Sequence, residues 1–113
     1  MNRGEIWWAE LPNPRGSEPG FRRPVLIVQA NAFNASQIRT VIVAAITSNL
    51  KLEEAPGNVR LSKRHSKLSK TSVVNVSQLL TIDRCFLVQK ACKIPRSAQD
   101  LVDSGIRLAL DLE

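Results

Sequence analysis

Apolar residues in this chain come in short runs, each bounded by Gly, Pro, Asn or Asp. Runs of this length rich in Val and Ile read as strands, because branched side chains sit easily on a pleated surface and crowd a helical turn. The pattern predicts strands over Glu5 to Leu11, Val25 to Gln29, Thr40 to Ile46, Asn58 to Leu61, Ser72 to Val76 and Phe86 to Ile94. Pro12-Asn-Pro14 ends the first, Ala30 to Arg39 reads as a polar loop, and Glu53-Glu-Ala-Pro-Gly57 as a turn. After Pro95 the period changes: Ala98, Leu101, Val102, Gly105, Ile106, Ala109 and Leu112 share one helical face. Ser97, three residues before Asp100, predicts the helix start. Gly105 inside that helix costs about 1 kcal/mol relative to alanine, which points to close packing on the sheet or a partner. The expectation is a mainly β fold, a small barrel closed by a C-terminal α-helix.

Composition narrows the class. The chain of 113 residues is long enough for one domain, 1–113, and 43% of it is hydrophobic, an ordinary globular value. Its longest apolar stretches are around six residues, against the roughly 20 that a spanning helix needs. With no charged-then-apolar leader, the expectation is a cytoplasmic protein with no membrane partner. Cys85 and Cys92 are too far apart for a Cys-x-x-Cys pair and lie in an apolar run, where cysteine acts as a small buried hydrophobe. One histidine and no carboxylate cluster at ligand spacing predict no metal and no cofactor.

Charge adds a direction. A net charge of +6 draws a domain of this size to polyanions. Arg60, Lys63, Arg64, Lys67 and Lys70 alternate with Ser and Leu, either a solvated loop or a phosphate-steering arm beside a groove. The segment has no aromatic residue, so it offers charge without a stacking surface.

Two segments carry candidate chemistry. In Gly16-Ser-Glu-Pro-Gly-Phe-Arg-Arg-Pro24, Arg22 and Arg23 stand between a turn-rich loop and the strand that follows. Pro24 restricts the residue before it, narrowing the directions open to Arg23. A forked guanidinium held that way suits a phosphate, although an arginine pair capping a strand and bound to Glu18 is the plainer reading. The strand from Thr40 ends in Thr47, Ser48 and Asn49, hydrogen-bonding side chains that serve either a site or a turn. His65, the sole histidine, lies in the basic segment and reads as a solvated residue. Trp7 and Trp8 are adjacent, so a strand sends them to opposite faces.

Together with Ser72-Val-Val-Asn-Val-Ser-Gln78 and Leu80-Thr-Ile-Asp-Arg84, these segments resemble the MazF/PemK family of toxin endoribonucleases. The resemblance runs from Arg3-Gly-Glu-Ile-Trp through Gly16-Ser-Glu, Arg23-Pro24, Ala45-Ile-Thr-Ser and Gln78 to the C-terminal helix. It implies an SH3-like barrel, homodimeric, that cuts single-stranded mRNA without metal by 2′-hydroxyl attack and is held inactive by an acidic antitoxin. Arg23 and Thr47 match the positions that carry activity, Arg23 as stabiliser of developing phosphoryl charge. Ser72, Gln78 and Arg84 match groove-lining positions, and Arg22, Ser48, Lys63 and Arg64 join them as RNA contacts. Asp83 would orient Arg84 or cap a turn, and Glu18 would hold its loop through an arginine. Two rivals stay open: a toxin of the same fold that inhibits a protein such as DNA gyrase, and an RNA-binding barrel without activity.

Overall fold

The computed structural model describes residues 1–12, 16 and 21–112. The expected turn through Pro12-Asn-Pro14 and the Glu18 pairing lie outside the described residues. Six strands form one curled sheet, β1 (Glu5–Leu11), β2 (Phe21–Ile27), β3 (Thr40–Thr47), β4 (Val59–Leu61), β5 (Ser72–Asp83) and β6 (Leu87–Lys93), in the order β4-β5-β3-β2-β1-β6. All five pairings are antiparallel. Two short helices, α1 (Asn31–Asn34) and α2 (Lys63–Ser66), precede the long α3 (Arg96–Ala109). The barrel is thus a curled half-barrel: β4 and β6 are both edges, and α2 packs against the two of them.

Both faces of the sheet are covered, which is why the strands read as near-continuous apolar runs. Ile6, Leu26, Ala44, Ile46, Val74 and Val76 join Ala98 and Val102 of α3 in one cluster, while Ala9, Val25, Ile27, Val41, Val43 and Ile82 form the other. Trp8 packs beside the first and Trp7 beside the second, opposite faces as alternation requires. Of the expected helical face, Ala98, Val102 and Gly105 are buried, but Leu101 is exposed, Leu112 lies past the helix end, and Ala109 runs beyond the core it would cover. Gly105 meets the Gly57 turn, where an added Cβ would lie 3.0 Å from the Gly57 carbonyl carbon and nearer still to its oxygen.

Several boundaries differ from the sequence reading. Pro95, with no side-chain cap, precedes α3, so Ser97 is inside the helix and not its cap. The loop at 30–39 holds α1, and the basic segment holds α2, capped by the Ser62 side chain on the His65 N–H. Strand β5 runs 12 residues instead of five, because its pairing with β3 jumps from Ala44↔Leu79 to Ala45↔Asn75. The displaced Val76, Ser77 and Gln78 form a bulge pinned by side chains: Val76 N–H donates to Asn58 Oδ1 at 2.9 Å and Ser77 Oγ to Asn75 Oδ1 at 2.7 Å. Cys85 is exposed, contrary to expectation, and Cys92 is half-buried with its thiol on the Ser66 carbonyl at 2.9 Å.

Candidate nucleic-acid interface

Strand β2 begins at Phe21, so Arg22 and Arg23 belong to the strand and not to a junction ahead of it. Both pair with β1, as Glu10↔Arg22 and Ala9↔Arg23, and Pro24 stands opposite Trp8. On its other side β2 pairs with β3 only as far as Val25↔Ala45. The next residue is Pro24, which has no N–H to extend a ladder. Beyond that point the two strands run on without pairing, and carrying the register forward sets Arg23 across from Thr47. A cleft of about 290 Å³ opens there, lined by Trp8, Arg23, Pro24, Thr47, Ser48, Ser69, Lys70 and Ser72 over an apolar floor of Ile46 and Leu68.

The lining is electrostatically one-sided. It contains two cations, four hydroxyl side chains and no carboxylate among the described residues. Arg23 and Lys70 make no ion pair or side-chain hydrogen bond among the described residues, whereas Arg3, Arg60, Arg96 and Lys90 are each paired with an acid. Unpaired cations in a concave site await an anion. Thr47 Oγ1 accepts the Asn49 N–H at 3.1 Å, leaving its own proton to donate. The Ser72 hydroxyl donates to the Lys70 carbonyl at 2.9 Å, and Ser66 Oγ accepts the Leu68 N–H at 3.1 Å. These two bonds, with Leu68 buried between them, fix the stretch of backbone that carries Lys70.

The structure therefore brings together Arg23, Thr47, Ser48 and Ser72 of the expected set and leaves the rest outside this cleft. Arg22 lies against Trp8, its guanidinium carbon 5.2 Å from the ring, and contacts Glu10 at 3.6 Å and Gln89 at 3.5 Å. Gln78 sits in the β5 bulge with its Oε1 accepting from Asn75 at 3.3 Å. Arg84 is turned to the Phe33 carbonyl at 3.1 Å. Lys63 and Arg64 are exposed on α2, and neither lines the cleft; His65 is exposed beside them. Asp83 caps the turn Arg84–Phe86 by accepting the Cys85 N–H at 2.9 Å, a bond that holds its carboxyl below the usual range. Sequence reasoning names Lys70 only as one cation of the basic arm and does not separate Trp8 from Trp7, so neither is singled out as a residue of this cleft. The signal for Lys70 is its place two residues before the start of β5, and for Trp8 its place opposite Pro24.

Comparison with known proteins places the chain in a family. Residues 2–110 match the family model of the PemK-like, MazF-like toxin of type II toxin-antitoxin systems. The endoribonuclease MazF6 of Mycobacterium tuberculosis is 45% identical over 99% of this chain and 98% of its own length. The endoribonuclease MazF of Staphylococcus epidermidis is 36% identical over 99% and 92%. The solved Mycobacterium tuberculosis toxin MazF-mt6 superposes with a TM-score of 0.80 at 25% identity, over 96% of this chain and 98% of that one. On the match of its residues 2–110, the chain belongs to the PemK-like, MazF-like toxins of type II toxin–antitoxin systems.

Proposed function

We propose that this toxin is a metal-independent endoribonuclease acting on single-stranded mRNA, with the cleft between β2 and β3 as its active site. The observation that carries the reading is the convergence of an unpaired Arg23 and Lys70 with the Thr47 hydroxyl on one concave surface. RNA brings its own nucleophile. Attack by the 2′-oxygen forms the 2′-O–P bond and breaks the P–O5′ bond; the proton lost by one oxygen balances the proton gained by the other. The products are a 2′,3′-cyclic phosphate and a 5′-hydroxyl. The protein's work is to align the reacting atoms and to stabilise charge on the phosphoryl oxygens, and the second of these usually dominates the rate. Arg23 supplies a permanently charged fork for that charge, Thr47 a neutral donor, and Lys70 a second cation lining the same cleft. Ser72, its proton given to the Lys70 carbonyl, positions Lys70.

The working form in this reading is a cytoplasmic homodimer of one-domain chains, 1–113, and Ser48 contacts RNA beside Thr47. A cognate antitoxin with an acidic, partly disordered tail suits a surface of net charge +6 and silences the cleft by covering it. Single-turnover cleavage of a defined oligonucleotide in excess EDTA tests the chemistry. Arg23→Ala is expected to slow it by about 10²–10³, as loss of a preorganised donor does elsewhere. Arg23→Lys is expected to be nearly as slow, since a point charge does not reproduce the two-pronged grip. Cleavage that stops on chelation and returns with magnesium would overturn the mechanism.

A further inference from the structure

Phe21 combines two unfavourable features at one residue. Its backbone φ is +59°, a left-handed value that a bulky aromatic residue rarely adopts, and its side chain is 62% exposed. Folding gains nothing visible from either. Glycine would take this φ without strain, and the ring makes no ring contact or hydrogen bond among the described residues. Strain retained at an exposed residue marks a place where function, not packing, selects the side chain.

The strand places that ring. Residues two apart on a strand share a face and stand about 6.8 Å apart. Phe21 and Arg23 are such a pair on β2, opposite Leu11 and Ala9 of β1. Arg23 lines the cleft. Phe21 therefore lies two positions along β2 from Arg23, just outside the cleft and at about the spacing of one extended nucleotide from it. Single-stranded RNA offers unstacked bases, and an exposed aromatic ring is the surface on which they stack.

We propose that Phe21 is a specificity-determining residue: its ring stacks an unpaired base adjacent to the scissile phosphate while Arg23 holds the phosphate itself. The inference rests on the nuclease reading above. The probe is an oligonucleotide carrying the mapped cut site with a 2′-deoxy sugar at the cut, so that it binds without being cleaved. Abasic positions are then walked across it, and binding is followed by fluorescence anisotropy. For the wild-type protein, removing one base within two nucleotides of the cut is expected to weaken binding about tenfold, the scale of one base–aromatic stack. Phe21→Leu is expected to lose the same tenfold on the intact oligonucleotide and to show no further loss at that abasic position. Phe21→Trp is expected to restore both. Phe21→Gly should bind as poorly as Phe21→Leu while melting no lower than wild type, which separates the effect from damage to the fold. Identical abasic profiles for wild type and Phe21→Leu overturn the inference alone. A wild-type protein that cuts no RNA overturns the nuclease reading and this inference together.

Discussion

Acid should strip this fold of a specific interaction at Glu5. The Glu5 carboxylate is 5% exposed on β1. Burial there pushes its pKa up, but the Trp7 Nε1–H at 3.0 Å, the Asn2 N–H at 2.9 Å and the Lys90 ammonium at 3.1 Å more than offset that, lowering it from 4.5 to about 2. A depressed folded pKa means that the stabilisation is complete above the unfolded value and is lost as pH falls through the folded one. The difference of 4.5 − 2 units, at about 1.4 kcal/mol per unit, gives about 3 kcal/mol at neutral pH. The same linkage leaves about 1.4 kcal/mol at pH 3. Urea unfolding of wild type and Glu5→Gln, measured from pH 7 to pH 2.5, isolates this group from the other carboxylates by difference. The gap between the two proteins should be about 3 kcal/mol at pH 7, unchanged to pH 5, and less than half of that at pH 3. A gap that stays constant over the whole range, or one below about 0.5 kcal/mol at pH 7, refutes the account, because surface substitutions alone produce changes of that size.

Two further outcomes follow from the geometry. Gly105→Ala gains about 1 kcal/mol of helix propensity but drives a methyl group into the Gly57 backbone, which cannot rotate aside, so a net loss of about 1–3 kcal/mol is expected in thermal or urea unfolding; a more stable variant would show that α3 can lift off this turn at little cost. Neutralising Lys63, Arg64 and Lys67 on the exposed α2 region should weaken RNA binding and flatten its salt dependence, the log–log slope falling by about 0.7 for each phosphate no longer neutralised. A drop in single-turnover rate at saturating RNA as large as that of Arg23→Ala would place these residues at the reacting phosphate instead.

The strand pattern and the chain order of the site segments are legible because apolar runs and turn residues are local signals. The interruptions are not. Strand β5 reads as two separate pieces because Val76, Ser77 and Gln78 bulge out of register, and the side chains that hold the bulge come from Asn58, far along the chain, and from Asn75. A proline at position 24 looks like the start of a strand, yet Arg22 and Arg23 are already paired with β1, because only the β3 side of β2 ends there. The missing cap on α3 has the same origin: Pro95 starts the helix unaided, so a serine just inside it carries no information about its beginning. Arg23, Thr47, Ser48 and Ser72 are recognisable as types in the right order. Lys70 depends on how the segment after α2 is held by the Ser66 and Ser72 hydroxyls, which no single-sequence spacing encodes.

The gap between β2 and β3 is made by an absent amide at Pro24, and an absent atom cannot fluctuate into place. That end of β2 therefore has no Pro24 donor with which to extend the ladder onto β3. If RNA binds at this cleft as proposed, the charges of Arg23 and Lys70 draw it there. With the proposed site open in this way, control over when the toxin acts falls to whatever covers the cleft.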